Sequence, residues 1–152
     1  MGAASSTAKA GFECLITRIF DAPRSLVFKA WVDPVHRAKW YGPRGFNAIV
    51  IHDDARTGGT YHYRMHSATN DYDWKGTYLE VVEPERLVFT WPNNTSWKAI
   101  DTVVTVTFEE LGGKTRLTLR HATFPSEEMR DDHTRGWNST LDRMAEVMGM
   151  VA

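Results

Sequence analysis

The sequence predicts an α+β domain in which seven antiparallel strands form a curved sheet around one long C-terminal helix. Three observations predict this fold class: a helical period over residues 126–152, a run of strand-like segments before it, and two short helical segments behind the first strand. Apolar positions in residues 126–152 recur at steps of three and four, which places them on one helix face. They are Trp137, Leu141, Met144, Met148 and Val151.

The N-terminal part supplies the first strand and the two short helices. Residues 1–11 are small and polar and predict a loose tail, so we expect one domain over residues 12–152. Residues 12–20 alternate apolar and polar side chains, as a half-buried strand does. Pro23 suits the first turn of a helix, and Asp33 suits the N-cap of a second short helix.

Six further strands follow, and turn residues separate them. We expect these strands at residues 46–53, 60–66, 74–82, 86–91, 102–109 and 114–121. A loop begins at Pro92-Asn93-Asn94, and Gly112-Gly113 closes the last hairpin. Within the 74–82 strand, Leu79 and Val81 fall on the outer face, where we expect the two short helices to cover them.

Alternation within these strands separates a wet face from a buried face. The wet face is rich in Thr, Arg and Lys, whereas the buried face collects large aromatic side chains. Aromatic residues make up 12% of the chain, which predicts either a thick core or a pocket walled by rings, and composition alone favours the core. For a pocket, the predicted ligand contacts are Tyr61, Tyr63, Trp74, Tyr78, Phe89, Trp91, Phe108, His121, Trp137 and Leu141.

His121 is the one candidate for acid/base chemistry. It ends the last strand on the buried face, where it could act as a general base with Arg18 or a Tyr hydroxyl. A hydrogen-bonded core histidine is the better-supported interpretation. Gly136 is expected to let the last helix approach the sheet closely, so that Trp137 either packs on the sheet or closes a cavity.

Charge and cysteine content narrow the classes of function. The formal net charge is −1, which gives no electrostatic reason to expect nucleic acid or a membrane surface as partner. No apolar run approaches the roughly 18 residues of a membrane span, and no secretory signal is evident. The single Cys14 favours a reducing, cytoplasmic setting. His62 and His66 would lie ~13 Å apart on a strand, so we expect no metal site, and no cofactor.

Several motifs spread along the chain together carry a family resemblance. They are Phe20-Asp21-Ala22-Pro23, Val27-Phe28-Lys29-Ala30-Trp31, Trp40-Tyr41-Gly42-Pro43, Arg56-Thr57-Gly58-Gly59-Thr60-Tyr61, Gly76-Thr77-Tyr78 and Gly136-Trp137. The chain resembles the START-like (SRPBCC, helix-grip) superfamily, in the branch related to the C-terminal domain of the activator of heat-shock-protein-90 ATPase. The resemblance implies a β-α-α-β6-α helix-grip fold with a cavity under the last helix, and a link to the stress response.

This resemblance does not select one activity, because such relatives include lipid carriers, hormone receptors, polyketide cyclases and co-chaperone domains. We expect first a protein that binds a hydrophobic, apolar or aromatic small molecule between helix and sheet. The alternatives are a co-chaperone-like module that contacts a chaperone or another protein, and a cyclase-like enzyme with a single acid/base. No paired catalytic constellation supports the enzyme, and the sequence leaves monomer and homodimer open.

Overall fold

A computed structural model describes residues 11–91 and 102–152. The predicted tail, apart from Gly11, and the loop predicted at Pro92-Asn93-Asn94 lie outside the described residues. The elements in chain order are β1 (Phe12–Phe20), α1 (Arg24–Val32), α2 (Pro34–Trp40), β2 (Asn47–Asp53), β3 (Thr60–His66), β4 (Asp71–Val82), β5 (Arg86–Trp91), β6 (Thr102–Leu111), β7 (Lys114–Phe124) and α3 (Glu127–Val147).

The strands form one open, curved, seven-stranded sheet in the order β1-β7-β6-β5-β4-β3-β2. Every neighbouring pair is antiparallel, and β1 joins the sheet beside β7. The β6–β7 hairpin closes through a two-residue turn between the paired residues Leu111 and Lys114, as the glycine pair predicts. The predicted helix-grip architecture is therefore confirmed.

The predicted alternation is also confirmed on the central strands. Every second residue is buried along β3, β6 and β7, because one face of the sheet packs under the helices. The fully buried positions on this inner face include Tyr61, Tyr63, Leu87, Phe89, Val104, Val106, Leu117, Leu119 and His121. The helix α1 adds Val27 and Trp31 to the same core, as its apolar spacing predicts.

A β-bulge in β4 overturns the expectation that Val81 lies on the outer face. The pairing with β5 shifts register between Tyr78 and Glu80, so one extra residue is inserted on β4. A bulge sends the following side chains to the opposite face. Val81, beyond the bulge, therefore packs against the core, whereas Leu79 lies on the outer face as expected but is 47% exposed rather than covered by the short helices.

The long helix α3 begins as predicted and is seated by both apolar and charged contacts. The Ser126 side chain accepts a hydrogen bond from the backbone N–H of Met129, which caps the helix. Its buried face carries Trp137, Thr140, Leu141 and Met144. On the polar side, β1 is tied to α3 by an Arg18 salt bridge to Asp142 at 2.8 Å and a hydrogen bond to the Asn138 side chain at 3.0 Å.

The end of α3 differs from the expectation that the helix extends to Val151. Gly149 has φ of +69°, which an L side chain rarely adopts, and so ends the helix. The N–H of Met150 bonds the carbonyl of Ala145 at 2.8 Å, which closes a Schellman cap. Val151 then forms an isolated antiparallel bridge with Phe20 of β1.

Candidate ligand-binding site

A cavity of about 180 Å³ lies between the first half of α3, the β3–β4 part of the sheet, the end of β5 and the loop that joins α2 to β2. Its wall is almost entirely carbon. The aromatic side chains that form it are Tyr41, Phe46, Tyr72, Trp74, Trp91 and Trp137, and Met65 completes the floor. Strand parity places Met65 and Trp74 inward, because both occupy inner-face positions of their strands.

The three tryptophans pack against one another and form adjoining parts of the cavity wall. The rings of Trp74 and Trp91 are nearly perpendicular, at 83°, with centroids 5.2 Å apart. Trp91 and Trp137 are inclined by 49° with centroids 5.1 Å apart. The Nε1 atoms of Trp74 and Trp91 are buried and have no hydrogen-bond partner in the described part of the chain. Since these N–H groups are buried within protein, the tryptophans present ring carbon to the cavity.

Helix α3 supplies one wall through residues spaced by three and four: His133, Gly136, Trp137 and Thr140. A Cβ atom placed on Gly136 would have no neighbour within 4 Å. The expectation that this glycine permits close helix–sheet packing is therefore wrong, and its missing side chain leaves open space in the cavity. The Thr140 hydroxyl donates to the Gly136 carbonyl at 2.8 Å, so this hydroxyl is used within the helix.

His121 lies behind this wall with both ring nitrogens in hydrogen bonds. The indole N–H of Trp137 donates to its Nδ1 at 3.0 Å, which leaves the proton on Nε2, 2.7 Å from the hydroxyl of Thr102. Burial, and secondarily the neighbouring His133, lowers the pKa of His121 to about 2. A neutral imidazole with its lone pair occupied by an indole N–H has no free base for a substrate, so His121 is a hydrogen-bonded core histidine.

His133 is the histidine that borders the cavity. Its Nδ1 donates to the carbonyl of Met129 at 2.9 Å, and its ring lies 4.6 Å from that of Phe124 between centroids. Burial lowers the pKa of His133 below its ordinary value, so the ring is neutral at pH 7. The neighbouring lining residue Asp132 forms an ion pair with Arg135 and is the acidic side chain on the wall.

A buried guanidinium occupies the other half of the interior. Arg37 of α2 is fully buried, and its Nη1 donates to the Tyr78 hydroxyl at 2.9 Å. That hydroxyl donates to Asp53 at 2.7 Å, and Tyr63 donates to the other oxygen of the same carboxylate. Burial opposes the charge, yet the surrounding oxygens of Tyr41, Tyr78, Tyr63 and Asp53 raise the pKa of Arg37 well above its ordinary value. The aromatic rings here are packed around a cation, which leaves no space for a ligand.

The loop at the mouth of the cavity is fastened to α3. Arg143 donates from Nη1 to the backbone carbonyls of Gly42, Pro43 and Phe46 at 3.0, 3.2 and 2.9 Å. Arg44 in the same loop forms a salt bridge to Glu146 at 2.8 Å. These contacts hold Phe46, a wall residue, at a fixed distance from the helix.

The predicted contact residues therefore separate into two groups. The structure brings Trp74, Trp91 and Trp137 together on the cavity wall, with His121 one layer behind them. The remaining ones are packed in the core and do not line the cavity: Tyr61, Tyr63, Tyr78, Phe89, Phe108 and Leu141. Strand parity identifies the inner face but not the position along the strand, and that position separates cavity from core.

Sequence reasoning missed Arg37, Tyr41, Phe46, Tyr72 and His133. The spacing of His133 four residues before Trp137 was a usable signal, because it places both on one helix face. Among residues 11–91 and 102–152, no group of three or more His, Cys, Asp or Glu could hold a metal ion. In the same described ranges, no helix is long and apolar enough to cross a membrane.

Comparison with known proteins gives a family and a set of similar structures. The family model described as Activator of Hsp90 ATPase homolog 1-like protein matches residues 21–149. A structure from Chromobacterium violaceum is 28% identical, with a TM-score of 0.82, and the match covers 89% of this chain and 95% of that one. A Staphylococcus epidermidis structure is 26% identical, with a TM-score of 0.78 and coverages of 91% and 90%.

An AHSA1 protein from Silicibacter pomeroyi is 23% identical and shares the fold, with a TM-score of 0.79 over 91% of this chain and 98% of that one. No curated protein matches the chain. The family match spans most of the sequence, and the curved sheet gripping α3 is the architecture that the sequence motifs imply. The chain therefore belongs to the Activator of Hsp90 ATPase homolog 1-like family, within the START-like (SRPBCC) helix-grip superfamily.

Proposed function

We propose that this protein binds a small molecule through an apolar or aromatic group that enters the cavity beneath α3. The observation that carries the proposal is the open space over Gly136, bordered by aromatic walls that are almost entirely carbon. A well-formed apolar pocket with a few polar groups at its edge is the arrangement typical of small-molecule sites.

The volume of the cavity limits what it could hold. An engineered apolar cavity of about 150 Å³ holds benzene, whereas sites for drug-sized molecules measure about 300–1,000 Å³. At about 180 Å³ the cavity matches a single or compact fused ring rather than a long-chain lipid. Binding is also favoured over a cyclase-like reaction because both nitrogens of His121 are already engaged.

Gly136 offers a test that changes the cavity and little else. Because a new side chain there meets open space, Gly136→Ala, Gly136→Leu and Gly136→Phe should fold and should fill the cavity by increasing amounts. We expect indole and naphthalene to raise the melting temperature of the parent and of Gly136→Ala. Gly136→Leu and Gly136→Phe should lose this shift, and isothermal titration should give the same order of affinities.

Glu128→Leu is the matched control, since it adds the same side chain to an exposed position of the same helix. It should bind both probes as the parent does. The proposal fails if neither probe shifts the parent, or if Gly136→Phe binds them as tightly as the parent. A chaperone contact, the other function found in this fold, would use the outer surface and would survive Gly136→Leu, which separates the two functions.

A further inference from the structure

We propose that the group held in this cavity is a quaternary ammonium carried by a small soluble molecule. This inference rests on the proposed function and names the chemistry of its ligand. Aromatic rings attract cations through the negative potential of their faces, most strongly for Trp, and boxes of such rings bind methylated ammonium groups. The cavity has this composition, with three Trp and two Tyr on its wall.

The orientation of the tryptophans agrees with such a box. Their planes are inclined by 83° and 49° to one another with neighbouring centroids 5.2 and 5.1 Å apart, so they form one contiguous, bent aromatic wall rather than a parallel stack. The indole N–H groups, which carry positive partial charge, are turned into the protein: that of Trp137 bonds His121, and those of Trp74 and Trp91 are buried. A cation in the cavity would therefore meet ring carbon and no N–H donor of these three residues.

The charges around the cavity point the same way. Asp132 is the charged side chain on the wall, and its partner Arg135 lies outward with 71% of its side chain exposed. His133 is neutral at pH 7. Two cations lie near the wall, and their hydrogen bonds go to protein acceptors: Nη1 of Arg37 donates to the Tyr78 hydroxyl, and Arg143 donates to three backbone carbonyls of the mouth loop.

The carbon wall also selects among cations. A primary ammonium has three N–H donors, which lose their water on entry. Among the described residues, the only charged acceptor on the wall is Asp132, already paired with Arg135, so donors are left unsatisfied and burial is costly. A trimethylammonium has no donor and presents only methyl groups. We therefore expect binding to depend on methylation as well as on charge.

Choline and its neutral carbon analogue 3,3-dimethylbutan-1-ol have the same shape and differ in charge, and ethanolamine keeps the charge but lacks the methyl groups. We expect choline to bind the parent protein about tenfold or more tightly than the analogue in isothermal titration. Ethanolamine should show no binding. Replacement of all six Trp by 5-fluorotryptophan weakens the ring potential without changing shape, so it should lower choline affinity several-fold and leave the analogue unchanged.

Each other outcome is decisive. Equal affinity for choline and its neutral analogue, or tight binding of ethanolamine, overturns the inference. If indole binds but choline does not, the cavity is a site for neutral rings, and only the proposed function stands. If no probe binds, both fail. Vesicles of phosphatidylcholine present the same group from a lipid, and binding of vesicles without binding of free choline would overturn the assignment to a soluble molecule.

Discussion

Acid should destabilise this protein through His121. Burial holds the pKa of His121 near 2 in the folded state, against an ordinary value of 6.5. At pH 7 both states carry the neutral ring, so the shift has no effect there. Below pH 6.5 the unfolded chain takes up a proton that the folded protein does not, so the free energy of unfolding falls as the pH falls toward 2.

The size of this effect follows from the shift. One pKa unit corresponds to about 1.36 kcal/mol, and pH 4.5 lies about two units below the unfolded pKa, so His121 should remove about 3 kcal/mol between pH 7 and pH 4.5. His121→Gln keeps a side chain that can donate and accept, but it cannot titrate. The stability that this substitution costs at pH 7 does not affect the test, because the prediction concerns how the difference in stability between parent and variant changes from pH 7 to pH 4.5.

Urea unfolding followed by tryptophan fluorescence measures this difference. The stability gap between the parent and His121→Gln should shrink by about 3 kcal/mol on going from pH 7 to pH 4.5. The control is His52→Gln, which removes an exposed histidine of β2. The difference in stability between the parent and His52→Gln should stay nearly constant between the two pH values. Parallel pH curves for the parent and His121→Gln would refute the reasoning, as would an imidazole NMR signal of His121 that titrates above pH 4.5.

Two further pairs of variants test the interior. Gly76→Ala should destabilise the fold by about 1–3 kcal/mol in urea unfolding, because its Cβ would lie 2.5 Å from the hydroxyl of buried Tyr61. Gly136→Ala should instead stabilise the fold by roughly 0.5–1 kcal/mol, because its Cβ meets open space in a helix. Equal effects of the two substitutions would contradict the packing described. Asp53→Ala should cost about 3 kcal/mol or more, because it leaves a buried guanidinium uncompensated and two Tyr hydroxyls without their acceptor. Asp54→Ala, which loses only an exposed ion pair, should cost no more than about 1 kcal/mol by thermal melting. A similar loss of stability for Asp53→Ala and Asp54→Ala would contradict the role given to Asp53 in the buried network.

The order of the strands and the faces of their side chains could be predicted, because both follow from patterns among neighbouring residues in the sequence. Alternation fixes which side of β3 holds Tyr61 and Tyr63, since the side-chain period of a strand is two. The bulge before Val81 reverses that rule over one residue and has no local signature. The end of α3 could have been predicted from the sequence, because a glycine such as Gly149 is typical of the position just past a helix C-terminus.

The site was harder to predict, because it depends on distant residues. Arginine is rarely buried, and the groups that compensate Arg37 come from β2 and β4: Tyr78 accepts from Arg37 and donates to Asp53 only after the sheet has formed. For the same reason, the aromatic residues of the inner face could not be divided between core and cavity. That division depends on where Arg37 sits and on the absence of a side chain at Gly136.

Around Gly136, the residues that hold the fold together are separate from the space that the proposed ligand would fill. The Arg37 cluster joins α2 to the sheet, and the hydrogen bond between Trp137 and His121 joins α3 to it. A side chain added at Gly136 would extend into space that neither group occupies. A single substitution at this position can therefore reshape the binding space while the scaffold stays as it is. The volume and shape of the cavity can thus change in small steps at position 136, each one compatible with a folded protein.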